Sequence, residues 1–114
     1  LIILDAYNAN PSSMNNMILS FNKIKKEKKI CVLGDMGELG KFSEKEHMDI
    51  VKLMQRLQIT TFYVGREFCK AIKNDSFQST EEFKKHLESE PIKNSTVLIK
   101  GSRSQKLEKL LDLL

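Results

Sequence analysis

Residues 29–40, KICVLGDMGELG, combine two features from which the fold can be inferred. After Lys29, the first part of the segment is a short, continuous apolar run, which is typical of a strand that is covered on both faces of a sheet. The run ends at Gly34, and Asp35 and Glu38 follow among three glycines. In open α/β sheets, ligands bind where the strands end, so this turn is a candidate binding element.

The same order of strand and polar turn occurs three more times. The other predicted strands are residues 1–5 (LIILD), followed by AYNAN; residues 59–64 (ITTFYV), followed by GRE; and residues 96–100 (TVLIK), followed by GSRS. Because the carboxyl ends of parallel strands meet at one edge of a sheet, we expect all four turns to lie there.

Apolar residues at helical spacing fill the segments between the strands. They predict five helices. The first runs from Ser12 or Ser13 to about Lys25, and the second follows Ser43, which caps it together with Glu46 three residues later. The others cover about 66–73, begin at Ser79 or Thr80, and cover 103–114. Phe77 and Gln78 are a candidate short strand. This alternation predicts an α/β fold with a doubly wound, mainly parallel sheet flanked by helices, in a single domain over residues 1–114.

The bulk composition narrows the class of protein. A chain of 114 residues with net charge +4 is mildly basic. A solvated surface explains this charge about as well as an anionic ligand does. It lacks an aromatic-rich basic stripe, so nucleic acid is a weak option. There is no long apolar run for a membrane span or a signal peptide. Cys31 and Cys69, far apart and outside any CxxC motif, indicate free thiols in a reducing cytoplasm.

Each polar turn has a structural as well as a functional interpretation. Asn8 and Asn10 are common in turns, GDMGELG lacks the GK[ST] ending of a P-loop, and KGSRS is either an anion site or a capped helix start. His47 and His86 are interpreted as solvated helix residues. No nucleophile–base pair is placed for catalysis, so the residues alone predict a polar, mixed-charge site for a small anionic or zwitterionic ligand.

Three motifs in this order carry a resemblance to a known family. DAYNANPSSM at residues 5–14, VLGDMGELG at 32–40 with SEKEH after it, and VLIKGSRS at 97–104 closely resemble the C-terminal domain of the Mur ligase family. The loops are similar to those of the members that use D-alanyl-D-alanine. The likeness covers essentially the whole chain. The chain begins in a strand at Leu1 without a methionine, so we expect a piece of a longer, three-domain enzyme.

The resemblance implies a Rossmann-like fold and an ATP-dependent, amide-forming reaction. In that family a substrate carboxylate, here that of UDP-N-acetylmuramoyl-tripeptide, is phosphorylated by ATP, and an amine, here that of D-alanyl-D-alanine, attacks the acyl phosphate. The central domain, preceded by an N-terminal domain, carries the P-loop and the Mg²⁺ sites. The resemblance therefore implies ATP and Mg²⁺ as cofactors, with no catalytic or metal-ligating residue in this chain, and an isolated domain that is inactive.

The resemblance also suggests site residues. Those expected to contact or position the nucleotide are Asp5, Tyr7, Asn8 and Asn10. Asp35 and Glu38 are expected either to bind the ammonium end of the dipeptide or to support the loop that does. The donors expected for its carboxylate or for phosphate oxygens are Lys100, Ser102 and Arg103. The family often has two consecutive acids at the first turn, whereas this chain has Leu4 before Asp5. Lys100 and Arg103 are expected at a solvent-facing rim. The alternative is a freestanding doubly wound ligand-binding or signalling module without catalysis.

Overall fold

The computed structural model describes residues 1–6 and 9–114. Its strands are β1 (Ile2–Asp5), β2 (Lys29–Gly34), β3 (Thr60–Val64), β4 (Ser76–Phe77) and β5 (Thr96–Lys100). Its α-helices are α1 (Pro11–Asn22), α2 (Ser43–Leu57), α3 (Arg66–Ala71) and α4 (Thr80–Ser89). Short 3₁₀ helices cover Gly40–Phe42, Arg103–Gln105 and Leu107–Leu113.

The five strands form one parallel sheet in the order β1-β5-β2-β3-β4. The central strands β2 and β5 are buried along almost their whole length and mainly apolar, because both of their faces are covered. On one face, the core contains residues of α1, α2 and α3, such as Phe21, Met54 and Phe68. On the other face, Phe83 and Leu87 of α4 pack with Leu107 and Leu110. The predicted doubly wound α/β fold is confirmed.

The chain leaves the neighbouring strands β2 and β5 in opposite directions. After β2 it continues into α2 on one face of the sheet, and after β5 it continues into the C-terminal 3₁₀ helices on the other face. Such a switch point opens a crevice at the carboxyl edge of the sheet. Gly34 and Gly101 adjoin at the base of this crevice, and a Cβ atom on Gly101 would overlap the side chain of Leu107.

The C-terminal segment differs from the prediction of one helix over residues 103–114. Two 3₁₀ helices are separated by Lys106, which has a left-handed backbone conformation with φ 51°. Leu107 and Leu110 are buried, whereas Leu111 is 39% exposed. The 3₁₀ geometry has three residues per turn, so positions 107, 110 and 113 lie on one face, and both Leu113 and Leu114 are partly buried against the core.

Candidate functional site

Three of the four predicted turns meet at one cleft above the β5/β2 switch point. The cleft has a volume of about 470 Å³. Its lining comes from the turn after β1, the turn after β2 and the turn after β5, and consists of Ala9, Asn10, Gly37, Glu38, Leu39, Ser102, Arg103 and Ser104. The convergence that the strand pattern predicts is therefore present in the structure for these three turns.

The most accessible predicted site residues in the cleft are Glu38, Ser102 and Arg103. Glu38 is exposed in a left-handed conformation with φ 58°, at the outer part of the glycine-rich loop. Arg103 is exposed at the start of a 3₁₀ helix. The Ser102 hydroxyl lies 3.0 Å from the Ser104 hydroxyl and does not cap the helix, contrary to the expected role as a cap. Among the described residues, the groups that the cleft presents thus include the Glu38 carboxylate, the Arg103 guanidinium and the hydroxyls of Ser102 and Ser104.

Asn10 lines the same cleft and is the N-cap of α1. Its side-chain Oδ1 accepts the Ser13 N–H at 2.9 Å, and the Ser13 hydroxyl accepts the Asn10 N–H at 3.2 Å. This reciprocal pair satisfies two backbone donors at the helix start. The side-chain oxygen of Asn10 is therefore engaged by the helix. Tyr7 and Asn8, the other two predicted nucleotide-side residues of this turn, lie outside the described residues.

Lys100 is buried, and the expectation of a solvent-facing rim position is wrong. Its residue exposure is 1%, and its Nζ donates to Asp5 Oδ2 at 2.6 Å. Asp5 and Lys100 are register partners at the ends of the neighbouring strands β1 and β5, which brings their side chains together. The Asp5 carboxylate is 32% exposed, so the pair has one buried end and one end at the surface.

Asp35 supports the fold locally through both of its carboxylate oxygens. Oδ2 accepts the Glu67 N–H and Oδ1 accepts the Phe68 N–H, each at 3.0 Å. These are orphan donors of the first turn of α3, whose own N-cap, Gly65, has no side chain. Burial raises the pKa of Asp35, and the two backbone N–H donors act in the opposite direction. Of the two roles predicted for Asp35, the contacts fit support of the loop rather than direct contact with a ligand.

His47 helps to shape the candidate site. The interpretation of His47 as a solvated helix residue is wrong. It is fully buried on α2, and its Nε2 accepts the Met36 N–H at 3.0 Å. The ring proton is therefore on Nδ1, which donates to the Ser43 carbonyl at 2.7 Å. A sequence signal existed: positions 47, 50, 51 and 54 form the apolar stripe of α2, and the histidine occupies the first of them.

Asp35 and His47 together attach the first half of the glycine-rich loop to two helices. Asp35 is bonded to the start of α3, and Met36 is bonded to α2 through His47. The two helices are also linked to each other, because the Ser43 hydroxyl donates to Glu67 Oε1 at 2.7 Å. This use of Ser43 replaces the predicted cap, since Ser43 is the first residue of α2 and makes no capping bond. The following residues, 37–39, line the cleft.

The fourth turn, Gly65-Arg66-Glu67, belongs to a different cavity. Arg66 and Glu67 line a space of about 510 Å³ near the ends of β3 and β4, together with the start of α4. The Ser43 hydroxyl and Lys70 lower the pKa of Glu67. His86, predicted as solvated, is only partly so, because it packs against Phe77 and Phe83. The described residues at the polar edge of the sheet therefore line at least two cavities rather than a single shared one.

Among residues 1–6 and 9–114, no group of three or more His, Cys, Asp or Glu side chains is arranged to hold a metal ion. Within the same residues, no helix is long and apolar enough to cross a membrane.

The family model described as Mur ligase, glutamate ligase domain, matches residues 1–103. Among curated proteins, the UDP-N-acetylmuramoyl-tripeptide–D-alanyl-D-alanine ligase of Treponema pallidum is 35% identical, over 98% of this chain and 27% of its own length. The Rickettsia prowazekii ligase of the same name is 29% identical, over 97% of this chain and 26% of its own length. The chain thus spans about a quarter of the length of the curated relatives it matches.

Solved structures of MurF match in fold as well as in sequence. A crystal structure of MurF from Acinetobacter baumannii has a TM-score of 0.80 at 30% identity, over 97% of this chain and 26% of that one. MurF ligase from Thermotoga maritima, in complex with ADP, has a TM-score of 0.72 at 28% identity, over 98% of this chain and 27% of that one. The fold and the sequence therefore point to the same family.

Proposed function

The chain belongs to the Mur ligase family, and on this premise we propose that it is the C-terminal domain of a UDP-N-acetylmuramoyl-tripeptide–D-alanyl-D-alanine ligase. The proposed whole enzyme transfers the γ-phosphoryl group of ATP to the terminal carboxylate of the tripeptide. The amine of D-alanyl-D-alanine then attacks the acyl phosphate, forming an amide and releasing inorganic phosphate. The product is a precursor of peptidoglycan, and the reaction takes place in the cytoplasm, where ATP is available.

The observation that carries this proposal is the cleft at the β5/β2 switch point. Its three turns are the segments on which the family resemblance rests, and they come together from distant parts of the chain. A cleft with a guanidinium, hydroxyls and a carboxylate suits a zwitterionic dipeptide, whose ends carry opposite charges. The 35% identity to a ligase that is named for D-alanyl-D-alanine supports the same substrate.

The exposed cleft residues are proposed to contact the dipeptide. Arg103 and Ser102 are donors for its carboxylate or for phosphate oxygens, and Glu38 is an acceptor for its ammonium group. Asp35 and Lys100, which the resemblance suggested as contacts, are proposed instead to position these turns from below. In a closed site, charge-assisted bonds of this kind stabilise the charge that develops in the transition state better than water does.

The nucleotide is proposed to lie near the turn after β1. Asp5, Tyr7, Asn8 and Asn10 are the candidates, and the ADP in the MurF structure from Thermotoga maritima supports nucleotide binding in a relative. ATP and Mg²⁺ are proposed to be held mainly by the central domain that the family resemblance implies. Mg²⁺ would neutralise phosphate charge there.

A coupled assay on the protein at its natural length tests the proposed function. Phosphate release is measured with ATP, Mg²⁺ and UDP-N-acetylmuramoyl-tripeptide, with D-alanyl-D-alanine, with L-alanyl-L-alanine, or with no dipeptide. We expect release, and an amide product by mass spectrometry, only with the D,D-dipeptide. Dipeptide or nucleotide binding without turnover would instead support the freestanding binding module, and turnover with a different amine would refute the substrate assignment.

A further inference from the structure

The positive charge of this chain is concentrated in one turn. Residues 22–29, NKIKKEKK, contain five lysines and one glutamate, a net charge of +4 that equals the formal net charge of the whole chain. The turn joins α1 to β2, so it lies at the amino edge of the sheet. The rest of the protein is close to neutral, and the turn, called the basic turn below, is its main cationic feature.

The basic turn is attached firmly to the fold. The Nζ of Lys29 donates to the carbonyls of Phe21, Asn22 and Ile24, at 3.3, 2.8 and 2.9 Å. These carbonyls lie at the end of α1, where cations are favoured by unsatisfied acceptors and by the helix dipole. The Ile24 side chain packs against the core. Lys29 therefore has a structural role that explains its presence in this turn.

Among the described residues, none of the other four lysines of the turn bonds the carbonyls at the end of α1. Lys23, Lys25, Lys26 and Lys28 are all exposed, and over residues 1–6 and 9–114 the structure pairs none of them with a carboxylate. The Lys28 Nζ donates to the backbone carbonyl of Lys93 at 3.4 Å. Four lysines within residues 23–28 carry like charges that repel one another, so a cluster of this kind favours a negatively charged partner.

The basic turn is too far from the cleft to serve the proposed reaction. It lies at the amino end of β2, and the cleft lies at the carboxyl end of the same six-residue strand. Six residues of strand span roughly 20 Å. The Debye length at physiological ionic strength is about 8 Å, so the field of the lysines is largely screened at the cleft. Attraction of ATP or dipeptide to the cleft does not account for them.

The composition of the basic turn favours a bilayer over nucleic acid. It contains lysines but no arginine and no aromatic residue, so it lacks bidentate phosphate donors and surfaces for base stacking. Leu19 is 38% exposed on α1, one helical turn before Lys23. Clustered lysines beside an exposed apolar side chain suit a diffuse layer of anionic headgroups.

We propose that the basic turn, residues 22–29, is a peripheral docking surface for an anionic lipid bilayer. Docking through the amino edge of the sheet leaves the cleft at the opposite edge free. The interaction is electrostatic, reversible and independent of the ligase reaction, so either proposal can fail without the other.

The test is vesicle co-sedimentation of the protein at its natural length. Vesicles of phosphatidylcholine, with or without phosphatidylglycerol, are used at low and at physiological salt. The patch variant carries K23Q, K25Q, K26Q and K28Q, and the control variant carries K52Q, K73Q, K84Q and K85Q, which remove the same charge from exposed positions elsewhere. Each lysine near an anionic surface is worth about fivefold in affinity.

We expect binding only to the anionic vesicles, weakened by salt, with a loss of at least about a hundredfold in the patch variant and a much smaller loss in the control. Equal losses in both variants would show a general charge effect and overturn the proposal. So would absence of wild-type binding to phosphatidylglycerol vesicles. Tight, patch-dependent binding to polyuridylate RNA without vesicle binding would assign the surface to nucleic acid instead.

Discussion

Lys100 and Arg103 are separated by two residues in one turn, yet they belong to regions of different character. Lys100 ends a central strand, is 1% exposed and is paired with Asp5. Arg103 begins a 3₁₀ helix and is exposed in the cleft. The same division runs through the glycine-rich loop, where Asp35 is bonded to α3 and Glu38 faces solvent.

The candidate site therefore has a supporting layer and a proposed contact layer. The supporting layer is Asp5, Asp35, His47 and Lys100, and the contact layer is Glu38, Ser102 and Arg103. Charged groups in the first layer already have partners in the protein, so their removal exposes unsatisfied groups. Those in the second layer are accessible from the cleft, so their removal affects binding more than folding. The predictions below test this division, starting with the largest expected effect.

Lys100→Ala tests the supporting layer most severely. It leaves the Asp5 carboxylate without its partner and removes a fully buried side chain, for which losses are typically about 3–5 kcal/mol of unfolding free energy. Because Asp5 is 32% exposed, we expect the lower end of that range, about 3 kcal/mol. Urea denaturation followed by circular dichroism measures it.

The double variant Asp5→Asn with Lys100→Met is the matched control. It removes both charges and keeps most of the side-chain volume, so we expect it to be more stable than Lys100→Ala alone. A Lys100→Ala protein with wild-type stability would place Lys100 in the contact layer, where the sequence interpretation had put it.

Gly65→Ala tests the attachment of Asp35 to α3. Gly65 has φ 134°, a conformation that favours glycine, and an added Cβ would overlap the Asp35 carboxylate. Backbone strain and displacement of the carboxylate together cost about 3 kcal/mol or slightly less. Gly40→Ala is the comparison, because Gly40 also has positive φ but an added Cβ meets nothing within 4 Å.

The measurement is again the unfolding free energy, and the sign of the difference between Gly65→Ala and Gly40→Ala is what tests the prediction. We expect Gly65→Ala to be the less stable of the two, because only it combines a strained φ with a steric overlap. If Gly40→Ala is equally destabilised, φ alone accounts for both losses, and the contact between Asp35 and the start of α3 contributes little.

Arg103→Ala tests the contact layer. We expect stability within about 0.5 kcal/mol of wild type, as for an exposed residue. In the protein at its natural length, we expect kcat/KM for the dipeptide to fall at least about tenfold, or about 1.4 kcal/mol of transition-state stabilisation. Steady-state phosphate release measures it.

Arg103→Lys separates two kinds of contact at this position. It should restore little activity if the guanidinium binds a carboxylate through two parallel bonds, and most of it if only the charge matters. Full activity of Arg103→Ala at sub-saturating dipeptide and ATP would reduce this turn to a structural role.

The smallest expected effect concerns the pH dependence of stability, to which Asp35 and Glu67 should contribute with opposite signs. Burial raises the pKa of Asp35 above its ordinary 3.8, so the folded state holds this proton more tightly and stability falls as pH rises through the window just above 3.8. The Ser43 hydroxyl lowers the pKa of Glu67 below 4.5, so its contribution is present above 4.5 and is lost as pH falls through the folded pKa.

We test this pH dependence by measuring the unfolding free energy between acidic and neutral pH for wild type, Asp35→Asn and Glu67→Gln. The advantage of wild type over Asp35→Asn should shrink as pH rises, and its advantage over Glu67→Gln should grow. Parallel pH profiles for the two variants would contradict the assigned environments.

The sequence predicted the main elements of the fold because its patterns are local. Short apolar runs of three or four residues marked β2, β3 and β5, and the predicted helix start at Ser12 or Ser13 lies within two residues of Pro11, where α1 begins. Alternation of strands and helices then determined that the turns after β1, β2 and β5 would meet at one edge. The candidate site could be located in this way, as a set of turns.

Only the tertiary structure decided which side chains at that edge are already engaged. The sequence pattern predicted Lys100 as a surface cation, but strand register brings it opposite Asp5. It predicted His47 as solvated, but α2 places it in hydrogen-bond contact with the Met36 N–H. Asp35 reaches α3 from more than thirty positions away along the chain. The physical reason is that burial and hydrogen-bond partners depend on contacts between distant segments, which no local pattern of residue types records.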